Sequence, residues 1–310
     1  MLASIFSLNV IQTALELGCI YALVALALFL SYSILNIADL STDGCFTLGC
    51  AVACQVALTG HPFLALLAAM AAGVCSGFVT AFLQTRLGVE SIMAGIIVNT
   101  GLYSVNIAVM GGSSLLNMNK TETVFTKARA LLQGTVLSEQ YKLLVAVITV
   151  IALVAFLALF LRTRLGLAIR ATGDNPQMIR AQGINTDLSK VIGLSLSNGL
   201  VALSGALLCQ YQGYADINMG RGAVVIGLAA VVIGEAVVKH ISPNFAVRLT
   251  GVLVGAVIYY LVYQVIIFVG FDTDLLKMFS ALVVAAFLGV PYVKKQLARK
   301  HHVKGGIRHA

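Results

Sequence analysis

Five carboxylic acids lie in or beside strongly apolar stretches of the chain: Glu16, Asp39, Asp43, Asp216 and Glu235. Placing a charged side chain in the hydrocarbon of a bilayer costs at least ~2.5–3.5 kcal/mol. We therefore expect each acid to face a cavity, a polar partner or the aqueous edge of the membrane. Asp39 and Asp43 have two compatible interpretations, because they can line a solute pathway and can also cap the apolar helix that follows them. Glu16 is expected to pair or to accept a hydrogen bond at an interface.

Two of these acids occupy equivalent places in a passage that the chain repeats. The first copy starts at Leu23 and ends in Ala38-Asp39-Leu40-Ser41, and the second starts at Leu200 and ends in Ala215-Asp216-Ile217-Asn218. A glycine-rich apolar stretch follows each copy. This pattern is typical of discontinuous membrane helices in a transporter built from two related halves. The predicted pathway residues are Tyr21, Tyr32, Asn36, Asp39, Ser41, Asp43, Asp216 and Asn218.

The composition places the chain in a membrane. Of its 310 residues, 59% are hydrophobic and only 10% are charged, and the mean hydropathy is +0.97. A soluble domain carries roughly 25% charged residues. A helix needs ~20 apolar residues to cross the hydrocarbon core, which predicts about nine spans, with eight or ten also compatible. They lie near 9–35, 44–59, 62–84, 92–111, 141–161, 190–212, 223–238, 248–270 and 275–291.

Lysine and arginine placement predicts the orientation of these spans. Cations are concentrated in segment 162–190 and in the tail 292–310, so both are expected to be cytoplasmic. The chain is then a single all-α polytopic domain, with a first half over about 9–161 and a second over about 190–291. Asp39 falls on the cytoplasmic side and Asp216 outside, which makes the halves an inverted repeat. Segment 113–139 opposes the rule, since it should be external yet carries three cations. The shared helical face of Val124, Ala128 and Leu131 predicts an interfacial helix there.

The cytoplasmic segment contains a short stretch with strong helix-boundary signals. Asp174 or Asn175 can cap a helix, Pro176 suits its first turn, and Gly183 suits the residue that ends it. A helix of about eight residues is not stable alone, so it either docks on a partner or belongs to an ordinary structured loop. The residues assigned to this docking role are Asp174, Asn175, Pro176, Gln177, Met178, Ile179, Arg180 and Gly183. We call the cytoplasmic stretch that contains them, about 162–190, the coupling segment.

Four passages together resemble the permease subunits of ATP-binding-cassette (ABC) importers for branched-chain amino acids, ribose and related sugars, and nucleosides. These passages are the stretch from Gly18 through Asn36 to Asp39, the run from Asp39 to Gly49, the segment from Arg170 to Ile184, and the late helices around Ala229–Gly234 and Gly251–Ala256. The chain departs from the family pattern at Asn36-Ile-Ala-Asp-Leu-Ser, where branched-chain permeases usually have asparagine-phenylalanine-alanine-histidine-glycine. It also lacks the glycine-rich loop that the sugar permeases have near Glu235.

The resemblance implies a permease subunit of a bacterial plasma-membrane importer for a small polar solute, with an amino acid as the favoured class, and a cytoplasmic C-terminus. It implies four partners: a second permease subunit that is most simply an identical copy, cytoplasmic ATPase subunits, an external solute-binding protein and membrane lipid. No cofactor, metal or nucleic acid is expected. No P-loop run is present, so ATP hydrolysis is expected on a separate subunit. Two alternatives remain at this stage: an ion-coupled secondary transporter that uses Asp39 and Asp216, and an intramembrane enzyme or assembly factor, for which the sequence offers no catalytic dyad.

Overall fold

The computed structural model describes residues 8–118, 121–133, 140–238 and 245–268, with four single positions between 278 and 289. Eleven α-helices are described: α1 (Leu8–Leu28), α2 (Thr42–Leu58), α3 (Pro62–Thr85), α4 (Ser91–Val109), α5 (Val124–Leu131), α6 (Tyr141–Phe160), α7 (Arg164–Asp174), α8 (Pro176–Ala181), α9 (Thr186–Gln212), α10 (Ala223–Val238) and α11 (Phe245–Phe268). A π-helical segment (Phe29–Ile34) prolongs α1, and the strands β1 (Leu115–Asn117) and β2 (Tyr214–Asp216) pair antiparallel.

The described helices confirm an all-α polytopic membrane protein. Six of them are long and apolar enough to cross a membrane, and α2 and α10 are shorter apolar helices. These eight agree with the first eight predicted spans to within a few residues. The ninth predicted span, 275–291, and the tail 292–310 lie outside the described residues except for those four positions.

The two halves pack through their first helices, which run antiparallel to each other. Ser204 of α9 donates a hydrogen bond to the carbonyl oxygen of Ile20 in α1 (2.7 Å), and Ser197 donates to that of Ala27 (2.8 Å). Residue numbers thus fall along α9 as they rise along α1, which shows that the two helices run in opposite directions. Equivalent helices of the two copies therefore point in opposite directions, which confirms the inverted repeat.

Each first helix also packs against the second and third helices of the other half. Cys45 and Cys50 of α2 contact the carbonyl oxygens of Asn198 and Gly205, so α2 runs parallel to α9. In the other half α10 runs parallel to α1, because Gly227 lies against Val24 while Ser33 bonds Glu235. The third helices, α3 and α11, run antiparallel to α9 and α1 respectively. The first helix of each half therefore packs against the second and third helices of the other half, with the same relative directions in both cases.

Close approach at glycines makes these contacts possible. A Cβ atom on Gly49 would lie 2.0 Å from the carbonyl oxygen of Ala202, and one on Gly77 would lie 2.5 Å from that of Leu194. A Cβ on Gly255 would lie 2.1 Å from the carbonyl oxygen of Ala230. The small-residue spacings at Gly73-xxx-Gly77 and Gly251-xxx-Gly255 therefore serve packing inside the chain.

Loops and short elements divide between two opposite faces. On one face, which we call the coupling face, α7 lies against the end of the π-helical segment: a Cβ on Gly173 would meet the carbonyl oxygen of Ile34. On the other face, β1 pairs with β2, and Gln210 accepts a hydrogen bond from the first backbone N–H of α5, that of Val124 (2.8 Å). The described parts of segment 113–131 are therefore on the same face as Asp216, and a helix, α5, is present where one was predicted.

The coupling segment differs in detail from the sequence-based expectation. The predicted helix from Asp174 to Gly183 is two elements: Asp174 ends α7, a helix the sequence reading did not include, and α8 has only six residues. Asn175 caps α8, since its side-chain oxygen accepts the N–H of Met178 (3.0 Å). Gly183 has a positive φ of 82°, as predicted for the residue that ends the helix.

Candidate functional site

The first helix break is held by a buried hydrogen-bond network. One carboxylate oxygen of Asp39 accepts from the backbone N–H (2.8 Å) and the hydroxyl (2.6 Å) of Ser41, and the other accepts from the side-chain amide of Asn198 (2.8 Å). Thr80 of α3 donates to the Ser41 hydroxyl (3.3 Å). Asp39 and Ser41 are both buried. They join the break to α3 and α9, and neither is among the residues that line the polar cavity described below.

The second break repeats the local geometry of the first. One carboxylate oxygen of Asp216 accepts the backbone N–H of Asn218 (2.7 Å), the same two-residue turn that Asp39 makes with Ser41. Here a three-residue strand, β2, replaces the irregular chain that precedes Asp39. The sequence repeat is therefore also a repeat of turn geometry.

Asp43 connects the two breaks. It lies in the first turn of α2, and its carboxylate accepts the backbone N–H groups of Gly222 (3.0 Å) and Val224 (2.9 Å) at the start of α10. Thr47 accepts the N–H of Gly220 (3.2 Å). The N-termini of two helices that approach from opposite faces thus meet at one carboxylate. Asp43 both caps α10 and offsets its positive helix end.

A polar cavity of about 400 Å³ opens beside this junction. It is lined by α2, by α4 and by the loop between β2 and α10. The lining residues are Asp43, Gly44, Thr47, Asn99, Thr100, Tyr103, Ser104, Asn106, Ile217 and Arg221. The volume is within the range of small-molecule sites, about 300–1,000 Å³. An acid and a base therefore share one cavity with hydroxyl and amide groups.

The second half of the membrane-spanning helix α4 has a polar face, between Asn99 and Asn106. Thr100, Tyr103 and Ser104 are exposed, and Asn106 is buried with its amide donating to the carbonyl oxygen of Gly44 (3.1 Å). No group in the described part of the chain donates a hydrogen bond to the buried side-chain oxygen of Asn106. Polar groups are unfavourable against lipid tails. This face of α4 must therefore meet water, a solute or another polypeptide.

Only part of the predicted pathway set lies at the cavity. Asp43 lines it, and Asn218 is exposed immediately beside the lining residue Ile217. Tyr21 instead stacks on Phe46 (5.6 Å between ring centroids), Tyr32 is about half exposed in the π-helical segment, and Asn36 is exposed in a left-handed conformation (φ 57°). The pathway residues predicted from the sequence did not include Arg221 or the α4 residues that line the cavity. Their signal was the spacing of Asn99, Tyr103 and Asn106, which places polar side chains on one helix face.

The other two apolar-region acids also have partners. Glu16 accepts hydrogen bonds from Tyr211 (2.8 Å) and Gln12 (3.0 Å), as predicted. Glu235 accepts from Ser33 (2.7 Å) and pairs with Arg248 (2.6 Å) near the coupling face. The cost of placing these acids in an apolar region is thus reduced by hydrogen bonds to each of them.

Comparison with known proteins agrees with this architecture. The family model for the permease component of branched-chain amino acid transport systems matches residues 10–288. The chain is 34% identical over 270 residues to the tyrosine transport system permease protein of Clostridioides difficile (strain R20291), covering 87% of each chain. It is 32% identical over 293 residues to the uncharacterized protein RP368 of Rickettsia prowazekii (strain Madrid E), covering 93% of this chain and 99% of that one.

A more distant relative is named for a different solute. The chain is 28% identical over 259 residues to the ribose import permease protein RbsC of Escherichia coli (strain K12), covering 82% of this chain and 76% of that one. No solved structure is matched.

Proposed function

Because the chain belongs to the permease family of branched-chain amino acid transport systems, a family of ABC importers, we propose that it forms the membrane pathway for an amino acid. The observation that carries this proposal is the pair of opposite charges at the polar cavity. Asp43 supplies a carboxylate and Arg221 a guanidinium, and among the described residues Arg221 makes no ion pair. A zwitterionic amino acid can place its ammonium group at Asp43 and its carboxylate at Arg221.

The solutes for which the relatives are named, tyrosine and ribose, need different partners in a cavity. A sugar such as ribose carries no charge and needs only hydroxyl and amide partners. An amino acid needs both charges satisfied when it leaves water. The charge pair, with Tyr103 nearby, therefore favours an amino acid, in agreement with the tyrosine permease relative.

The exposed polar face of α4 supports a dimer with the pathway at its interface. Thr100, Tyr103 and Ser104 border the cavity and are open on the surface of the single chain. A second copy that covers this face removes its polar groups from lipid and closes the cavity from the side. A homodimer is the simplest assembly with this property.

The coupling face supports an ATPase contact. Met178 on α8 is 58% exposed, and Leu165 and Leu167 on α7 are also exposed, although all three lie outside the helices long enough to span the membrane. Exposed apolar side chains on ordered short helices suit a protein groove. We assign this surface to the cytoplasmic ATPase, and the opposite face with α5 and β2 to an external binding protein.

The proposal predicts ATP-dependent uptake of an amino acid. In proteoliposomes that contain the permease, its ATPase and its binding protein, labelled tyrosine or leucine should accumulate and ribose should not. Arg221→Gln should lower this uptake about tenfold, because the solute carboxylate loses its cation, whereas Arg162→Gln, an exposed cation away from the cavity, should have no effect. Accumulation driven by an ion gradient without the ATPase would instead support a secondary transporter, and uptake of ribose alone would exclude the amino acid assignment.

The assignment of faces makes a separate prediction. On a background without native cysteines, Asn218→Cys and Leu131→Cys should react with a membrane-impermeant thiol reagent added to intact cells. Met178→Cys should react only after the cells are opened. The reason is that Asn218 and α5 lie on one face and α8 on the other. Labelling of Met178→Cys from outside would invert the proposed orientation, with the bacterial cytoplasm then on the side of Asp216.

A further inference from the structure

A second cavity, of about 380 Å³, opens on the coupling face between the end of α3 and the start of α9. Its walls are the apolar side chains Phe78, Phe82, Leu188 and Val191, and its rim is formed by Thr85, Arg86, Asn185 and Asp187. The two helices are in glycine-mediated contact deeper in the bundle, at Gly77. We call this cavity the α3–α9 groove. None of its residues belongs to the polar cavity described above.

Polarity changes along both helices in the same direction. On α3, Phe78 and Phe82 are followed by Thr85 and then Arg86, and on α9 the rim residues precede Leu188 and Val191. At ~1.5 Å per residue, the groove passes from polar to apolar within about 5–10 Å. A phospholipid has this polarity profile, from its headgroup into its acyl chains. Phe78 and Phe82 are 52% and 44% exposed, so the apolar wall is open to an acyl chain.

The rim and its neighbour Arg180 together carry one net positive charge. Asp187 is neutralised by Arg180, whose guanidinium lies 2.8 Å from its carboxylate. Arg86 makes no ion pair within the described part of the chain. Guanidinium groups bind phosphate oxygens with strong, charge-assisted hydrogen bonds. The free cation at the rim therefore complements a headgroup with a single negative charge.

We propose that the α3–α9 groove binds one anionic phospholipid from the leaflet on the coupling side. Its phosphate contacts Arg86, and one acyl chain lies along Phe82, Leu188 and Val191. An ATPase subunit is not the occupant, because Phe78 and Val191 lie within helices that span the membrane. The headgroup is adjacent to the Arg180–Asp187 pair that joins α8 to α9, so bound lipid stabilises the coupling segment. This consequence rests on the proposed coupling role, whereas the lipid site rests on the groove itself.

The test is lipid titration of the purified full-length protein, followed by native mass spectrometry. Phosphatidylglycerol should bind more tightly than phosphatidylcholine of the same chain length. Arg86→Gln should weaken phosphatidylglycerol binding about fivefold, which corresponds to about 1 kcal/mol per cation near a membrane surface. Arg162→Gln, a matched loss of an exposed cation on the same face, should leave the binding unchanged.

A second variant separates the acyl chain from the headgroup. Leu188→Trp fills the groove without changing its charge, and it should weaken the binding of both lipids while Arg86 is intact. Thermal unfolding in detergent checks that every variant is folded. Equal weakening by Arg86→Gln and Arg162→Gln would reduce the effect to general surface charge and overturn the site, as would unchanged binding in both Arg86→Gln and Leu188→Trp. The titration needs neither solute nor ATPase, so its failure is distinct from failure of the transport proposal.

Discussion

Replacing Asp43 with asparagine should lower ATP-dependent amino acid uptake at least tenfold and leave the protein nearly as stable as the wild type. Asparagine caps helices about as well as aspartate, so one of the two hydrogen bonds to Gly222 and Val224 can be kept. The negative charge at the cavity is lost, and the ammonium group of the solute then has no counter-charge. A tenfold effect corresponds to about 1.4 kcal/mol, which is modest for one charged contact.

Asp43→Ala removes the cap as well as the charge. This variant should lose the same uptake and also about 0.5–2 kcal/mol of stability, the usual cost of deleting a helix cap. Proteoliposome uptake and thermal unfolding of the purified protein are the two measurements. Glu90→Gln provides the control, because it neutralises an exposed acid in the loop between α3 and α4, away from the cavity lining. Wild-type uptake by Asp43→Asn would leave Asp43 with the capping role alone.

The sequence was sufficient to predict the helix breaks because their signals are local. An acid two residues before a polar residue makes the same turn at Asp39 and at Asp216, and the apolar runs around them are long. The inverted arrangement also followed, from where the cations interrupt these runs. Asn175 and Gly183 marked the ends of α8 for the same reason, since a cap and a left-handed residue act within one turn.

The composition of the candidate site could not be predicted in full because it depends on distant contacts. Asp43 meets Gly222 and Val224 through hydrogen bonds that join the two halves, and no local pattern specifies such a pairing. The pairing of β1 with β2 likewise joins segments that are far apart in the sequence, so no local pattern specifies it. Asp39 has the features of a pathway residue in sequence, yet Asn198 and Ser41 bury it. A coupled ion must exchange with water, so this burial also disfavours Asp39 as the coupling carboxylate of a secondary transporter.

The helix α7 was missed for a different reason. Residues 164–174 mix apolar and charged side chains, and their helix lies outside the membrane spans. It packs on the π-helical segment through Gly173, where a Cβ would overlap the carbonyl oxygen of Ile34. Only the position of that segment explains the glycine. A π-helical segment has a different hydrogen-bond register from an α-helix. The residue types in Phe29–Ile34 do not indicate that register.

The contact between α7 and the π-helical segment suggests how the coupling face communicates with the cavity. Ser33, next to Ile34, donates to Glu235 of α10 (2.7 Å), and Arg248 of α11 bonds both Glu235 (2.6 Å) and Ser33 (3.2 Å). The start of α10 is held by Asp43 about 17 Å away, at ~1.5 Å per residue. We expect α10 to act as a rigid connection, so that movement of α7 reaches the cavity through this three-residue cluster.

Arg248→Ala should therefore uncouple ATP hydrolysis from uptake, with at least a tenfold fall in solute transported per ATP hydrolysed. The alanine variant breaks the link between α11, α10 and the π-helical segment, and it also removes the guanidinium that lies 5.2 Å from the centre of the Phe29 ring. Glu235 and Arg248 are each more than one third exposed, so the loss of stability should be small compared with that of a buried ion pair. The measurement is the ratio of uptake to phosphate release in the reconstituted importer. The exchanged pair, Glu235→Arg with Arg248→Glu, should recover part of the ratio because the attraction between the two helices is restored. If Arg248→Ala instead keeps the wild-type ratio, α10 does not receive the movement of α7 through this cluster.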